Sequence, residues 1–259
     1  YLKDEMDYIT NRGNYNGQNL CNADLNFVSQ RYDQLCPLPN RVENLYCLRK
    51  IKETSVQVAC SRIDKGPLAN LNIQDRIVGG GARWWSNGAE QDNVPIGVTL
   101  PNGGDARGIY YMPAVEAWGE GLFVELNLNG IEDKFVFLHT YCHLIMKELE
   151  FQCGYTLTSL KERLYCLDET NQYGFIIYSI AGSDGSYGGI SSLFNQRDGG
   201  MMPICQIMDN VKIRAKDCPN DPICSGEGGH CFACLDLPET SCTEFNDRLN
   251  RNVFLQYIG

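Results

Sequence analysis

The sequence contains no run of 18 apolar residues, and no basic-then-apolar leader opens it. A membrane-spanning helix takes about 20 such residues in succession, so no membrane segment is expected, and a cytoplasmic location is the default. The nucleotide-binding pattern GxxxxGK[ST] is also missing, and no Asp-Glu box follows an apolar strand. Those absences exclude the common ATP-hydrolysing motor. The phospholipase D signature is absent as well, because Thr140 and Tyr141 follow His139. Positive charge is scarce. Lys and Arg number 22 against 32 Asp and Glu, giving a net charge of −10 and a pI near 4.8. The densest basic stretches are only Arg49–Lys52 and Lys212–Lys216. Non-specific DNA affinity comes mainly from neutralising phosphates, so this chain alone is expected to be a poor DNA binder. An acidic subunit docked on a basic partner fits the composition better.

What remains is ordinary for a soluble globular protein: 43% hydrophobic and 21% charged residues over a length of 259. That length suits one large domain, or one domain with an extension. The first residue is Tyr1, which suggests a processed chain or part of a longer one. Cysteine is plentiful at 13, an odd number spread along the chain, and this pattern suggests a reducing compartment.

Five of those cysteines fall between Cys218 and Cys242, in CPNDPICSGEGGHCFACLDLPETSC. The stretch is rich in Pro, Gly and Asp and has no apolar periodicity, so a covalent or metal cross-link has to fix its shape. Cys231 and Cys234 have the two-residue spacing that lets one tight turn present two sulfurs to one metal. Cys218 and Cys224, with a looser gap, form the natural other pair. A structural Zn²⁺ held by these four is expected. Cys242 is either a substitute ligand or a buried neighbour, and His230 ranks below the cysteines. No Lys or Arg lies between Cys218 and Cys242, whereas Asp217, Asp221, Glu227, Asp236 and Glu239 lie in or beside that span.

Along the chain, residues 1–63 read as an N-terminal extension of mixed helix and strand. A helix is expected over Asp24–Leu35, and a strand pair or bent strand over Arg49–Ile63. Residues 64–108 form an irregular, Gly-rich connection carrying Trp84 and Trp85. From residue 109 the pattern sharpens. A strand is expected over Gly121–Leu126, and the best helix of the chain over Phe135–Cys153, ended by Gly154. Ser159 and Glu162 suggest a capping box, followed by a strand from Arg163 to Leu167. Gly174–Ile180 is continuously apolar and should lie centrally in a sheet. A Gly-rich turn over Gly182–Gly189 leads to a short helix, and Met201–Lys216 to a longer one. Thr243–Asn250 looks helical, and Val253–Ile258 looks like a closing strand. The fold class is therefore α/β of the mixed α+β kind: a mixed sheet with packed helices and a four-cysteine zinc knuckle near the C-terminus.

Three further groups have chemical potential. His139 and His143 share a helix face at i and i+4, a metal-binding spacing, but Thr140 replaces the glutamate of a zinc-protease helix. Two buried, hydrogen-bonded structural histidines are the plainer reading. Asp184, Gly185, Gly188 and Gly189 follow a buried strand, where a phosphate or a second backbone can approach closely. A tight structural turn is the plainer reading, because the Lys-Ser/Thr pair of a phosphate loop is missing and Asp184 would repel an anion. Glu132-Asp133-Lys134 matches only half of a restriction-type nuclease core.

These segments also resemble a known family. LHTYCHLIMKELEFQCGYTLTSLKERLY (residues 138–165) is similar to the His-Thr-Leu-x-His-Leu helix and the Ser-Leu-x-Glu-Arg-Ile-Tyr segment of the MrfA-type zinc-binding domain. GFIIYSIAGSDGSYGGI resembles its strand and Asp-Gly-x-x-Gly-Gly turn, and the cysteine block resembles its metal-binding block. Tyr141 and Cys142 depart from the small or aliphatic residues usual in the His helix. EAWGEGLF (residues 116–123) resembles the Gly-Glu-Gly-Ile-Phe stretch of DrmB, the non-motor subunit family of the DISARM phage-defence system. The resemblance covers roughly residues 110–259, within an expected zinc-binding domain over 109–259. Residues 40–63 are only loosely similar, and residues 1–39 show no resemblance. It implies a zinc-binding domain in an antiviral-defence subunit that binds a DrmA-like superfamily 2 helicase and meets DNA through that complex. Two alternatives are a metal-dependent nuclease or phosphodiesterase using His139, His143 and Asp184, and an autonomous zinc module that reads nucleic acid. The missing motifs lean away from an enzyme.

Overall fold

The computed structural model describes residues 2–10, 28–31, 38–56, 60–61, 77–78, 81–85, 93–94, 109–111, 114–180, 189–195 and 203–258. Two compact units emerge, one of Tyr1–Lys52 with Trp118–Gly259, the other of Glu53–Ala117. Within the second, short strands β3 (Cys60–Ser61) and β6 (Asn93–Val94) pair antiparallel, as do β4 (Ile77–Val78) with β5 (Gly81–Trp85) and β5 with β7 (Ile109–Tyr111). The expected irregular connection falls largely outside the described residues, and so do the side chains of Trp84 and Trp85.

The larger unit is built on a sheet in the order β1 (Val28–Arg31), β2 (Val42–Val56), β8 (Ala114–Leu126), β10 (Gln172–Ile180), β9 (Leu160–Leu167). The pairings β1–β2, β8–β10 and β9–β10 are antiparallel. Strand β10 is paired on both sides, as its apolar run predicts. Alternation divides the sheet into two covered faces. Leu122, Val124, Tyr173, Phe175 and Ile177 belong to the main core, whereas Tyr46, Leu48, Phe123, Tyr165 and Ile176 pack with Met6 and Ile9 of helix α1 (Leu2–Thr10). Helix α1 is held there by Glu5, whose carboxylate accepts two bonds from Arg163 at 2.6 and 2.7 Å and one from the Tyr165 hydroxyl.

The main core centres on α2 (Lys134–Cys153), which packs against β9 and β10 as well as α4 (Pro203–Lys216) and α6 (Arg251–Ile258). Every residue from Val136 to Leu149 is buried, as in a helix surrounded on all sides. Asp133 caps its start by accepting from the Val136 N–H. Gly154 ends it at φ 71°, the left-handed conformation that favours glycine. In β8, Gly119 and Gly121 flank Glu120. A Cβ on Gly121 would lie 2.5 Å from the Ile177 carbonyl oxygen, so the strand backbones meet too closely for a side chain there. Glu120 itself, 2% exposed, accepts from the Ile190 and Ser191 N–H groups and the Ser191 hydroxyl of helix α3 (Gly189–Ser192).

Five local expectations are corrected. Within Asp24–Leu35 the described residues 28–31 form strand β1, because pairing along the long β2 overrides a weak helical pattern. Strand β2 begins at Val42, earlier than the expected Arg49. Ser159 and Glu162 form no capping box: Leu157–Ser159 is a 3-10 turn, and the strand already begins at Leu160. Thr243–Asn250 is irregular, with Phe245, Asn246 and Arg248 at positive φ, and Val253–Ile258 lies in helix α6. Asn250 starts that helix, its side-chain oxygen accepting from the Asn252 and Val253 N–H groups. Phe254 then stacks on Phe137 and packs at a tilt against Tyr141 of α2. A short apolar segment capped by Asn and faced by an aromatic helix is thus helical rather than extended.

Candidate metal centre

Helix α4 delivers the chain to Cys218, and the short helix α5 (Ile223–Gly226) carries Cys224. The chain then folds into a knuckle in which the N–H groups of Cys234, Leu235 and Asp236 all converge on the Cys231 carbonyl at 2.9–3.0 Å. This brings together the sulfurs of Cys218, Cys224, Cys231 and Cys234, which lie within 4.8 Å of one another. The pairs 218–231, 224–234 and 231–234 are separated by 3.6, 3.7 and 3.7 Å. These are free thiols, far beyond disulfide length. A tetrahedron with Zn–S near ~2.3 Å has sulfur–sulfur edges of about 3.8 Å. The cluster thus has the size and donor chemistry to hold a metal ion and is compatible with zinc.

The electrostatics favour thiolate character at one corner. Burial pushes the Cys231 thiol up, but the Ala233 N–H, the Asn220 amide and neighbouring thiols outweigh it and bring the pKa down to about 6. Burial raises Cys224 and Cys234. Two cations support the lobe. The Lys147 ammonium on α2 donates to the Phe232 carbonyl at 3.1 Å, and burial depresses its pKa. Arg251, 2% exposed, pairs with Asp221 and donates to the Ala215 carbonyl at 3.3 Å. His230 turns away to pair with Asp236 at 2.9 Å. Around the cysteines Asp217, Asp221, Glu227 and Glu239 are exposed, so this face of the lobe is acidic.

Cys242 lies outside this set. Its sulfur is 3.4 Å from His139 Nε2, in a second buried group with His143 and Glu162. His139 and His143 are 0% exposed, with ring centroids 4.4 Å apart. Glu162 comes from β9, where Leu160, Glu162 and Leu164 face α2 by simple alternation. Its Oε1 is 3.4 Å from His139 Nε2 and its Oε2 is 3.1 Å from His143 Nε2. Burial raises the Glu162 pKa, but the two imidazoles outweigh it and hold the carboxyl below the usual range. Burial dominates on His143 and pushes its pKa down. Sequence reasoning put Glu162 in a capping box, because the strand was started at Arg163, three residues too late, and it missed the role of Glu120. Asp184, Gly185 and Gly188 lie outside the described residues, whereas Gly189 opens α3.

Among the described residues, no helix is long and apolar enough to cross a membrane. No family model matches the sequence. The chain is similar to the DISARM protein DrmB of Bacillus paralicheniformis, 28% identical over 194 residues, covering 57% of this chain and 33% of the relative. The chain thus spans about a third of the length of the curated relative it matches. The DUF1998 helicase MrfA bound to DNA, a crystal structure, overlays 90% of this chain and 24% of its own at 10% identity. Its TM-score of 0.37 is too low to establish a common fold.

Proposed function

We propose that this chain is a DrmB-like, zinc-stabilised subunit of a DISARM phage-defence complex that has no motor of its own. In this reading it binds a DrmA-like superfamily 2 helicase and assists that partner's engagement of DNA. The observation that carries the proposal is the 28% identity to DrmB. The four-cysteine cluster, the acidic surface and the absent motor motifs support it. Zinc bound by Cys218, Cys224, Cys231 and Cys234 would have all four positions filled by sulfur, leaving none for a reactive water. Its contribution is to cross-link a loop too short of apolar residues to hold itself. The partner supplies the phosphate contacts, and this chain shapes access to them.

The test is co-expression of the tagged chain with a DrmA-like helicase from the same host, followed by size-exclusion chromatography and DNA titrations at two salt concentrations. A stable complex is expected. DNA affinity should be weak for the chain alone and altered for the helicase when the chain is present. Absence of a complex, or micromolar and steeply salt-dependent DNA binding by the lone chain, overturns the proposal.

A further inference from the structure

The geometry assigns a second metal site to this chain, a closed and fully buried one made by His139, His143, Glu162 and Cys242, for a zinc-like divalent ion. The donors come from α2, from β9 and from the turn at Cys242, and their ligand atoms lie within 4.8 Å of one another.

The first support is where the protons must be. His143 Nδ1 faces the Leu235 carbonyl at 2.9 Å, and a carbonyl can only accept, so the proton sits on Nδ1. In the neutral ring Nε2 then carries a bare lone pair. It points at Glu162 Oε2, 3.1 Å away, and neither atom has a hydrogen-bond partner. Glu162 Oε1 already accepts from the Thr243 N–H at 3.0 Å. The Cys242 sulfur likewise accepts from the Asn246 N–H at 3.2 Å while facing His139 Nε2. The His143 Nε2 and Glu162 Oε2 acceptors thus face each other in a buried site beside the His139–Cys242 contact, an arrangement that calls for a cation between them.

The second support is size. With Zn–N near ~2.05 Å and Zn–S near ~2.3 Å, a tetrahedron has N–O edges of about 3.3 Å and N–S edges of about 3.6 Å. The observed separations are 3.1 and 3.4 Å for nitrogen to oxygen and 3.4 Å for nitrogen to sulfur. Charge-assisted hydrogen bonds between imidazolium and carboxylate run shorter, about 2.7–2.9 Å.

The third support is charge. A divalent ion with one carboxylate, one thiolate and two neutral imidazoles sums to zero, which suits complete burial far better than a carboxylate beside neutral rings. Imidazole with thiolate selects zinc-like ions over magnesium or calcium. Four protein donors close the coordination sphere, so the ion acts as a staple. It fixes the segment from Leu235 to Asn246 onto α2 and β9.

The test uses the intact chain purified with zinc. Two zinc ions per chain are expected, and X-ray absorption should show a mixed shell, averaging five sulfurs to three nitrogen or oxygen donors over both ions. The double variant His143→Gln/Cys242→Ala should retain one zinc with a sulfur-only shell. If that variant fails to fold, the wild-type shell decides alone. One zinc with a sulfur-only shell in the wild type overturns this inference and leaves a proton-held network. One zinc with a single sulfur and three lighter donors keeps it and instead removes the four-cysteine assignment.

Discussion

His143 donates its Nδ1–H to the carbonyl of Leu235, the residue that directly follows Cys234. One turn further along α2, Lys147 donates to the Phe232 carbonyl inside the same knuckle. The most buried helix of the fold therefore grips the cysteine turn from the backbone side, and the two clusters of metal-type ligands share one support.

That grip is testable without touching a ligand. A four-thiolate zinc centre carries a formal charge of −2, and the Lys147 ammonium lies within electrostatic reach of Cys234. Lys147→Met should leave the circular dichroism spectrum intact but speed zinc transfer to a chromogenic chelator by about 10-fold, the usual scale for an outer-shell partner. An unchanged rate would mean the knuckle holds its metal unaided.

Glu120 makes a sharper prediction for stability. Glu120→Ala strips two helix N–H groups and the Ser191 hydroxyl of their acceptor inside the core. The variant should be less stable by about 2–4 kcal/mol in urea unfolding. Glu120→Gln, which keeps an acceptor oxygen, should lose less than half of that.

Helix α6 depends on Asn250 for its start. Asn250→Ala should cost about 1 kcal/mol, and Asn250→Asp should be nearly neutral. Equal losses in the two variants would show that capping is not what the Asn250 side chain supplies, since its backbone N–H bond to the Thr140 hydroxyl is kept in both.

The pH dependence has a defined sign at the alkaline end. Burial, aided by Asp209, raises the Tyr141 pKa well above its ordinary value near 10. Its folded-state pKa being raised, the group contributes stability fully below the unfolded pKa of about 10 and loses it as pH climbs toward the folded value. In that window Tyr141→Phe should flatten the fall of stability by about 1.4 kcal/mol per pH unit. Parallel unfolding curves for the two proteins between pH 10 and 11 would contradict the assignment.

Much of the larger unit was legible because its signals are local. The run GFIIYSI marked a doubly paired strand, Gly154 marked the end of α2, and the Cys-x-x-Cys spacing marked the knuckle. Several of the failures depended on a distant partner. Strand β1 exists because β2 offers it an edge. The loop at Thr243–Asn250 turns through positive φ where the Asn246 side chain binds the N–H and carbonyl of Leu237, nine residues earlier. The buried quartet was half visible: the i,i+4 histidines announced themselves, but no spacing rule connects them to Glu162 or Cys242. Those two donors become neighbours only once β9 and the final loop are laid against α2.

The clasp between Glu5 and Arg163 has a consequence for how the protein is made. Its partners are 158 residues apart. A ribosome adds about 5–20 residues per second, so on the order of ten seconds or more separates the emergence of α1 from that of the strand it covers. Throughout that interval Met6 and Ile9 can rest only on Tyr46 and Leu48 of β2, without Phe123, Tyr165 and Ile176 of the later strands. Closing so long a loop is also slow relative to local contacts. The far face of the sheet is therefore sealed late in biogenesis, and until then the apolar side chains of this nine-residue segment, too short to hold a helix alone, stay open to holdase chaperones.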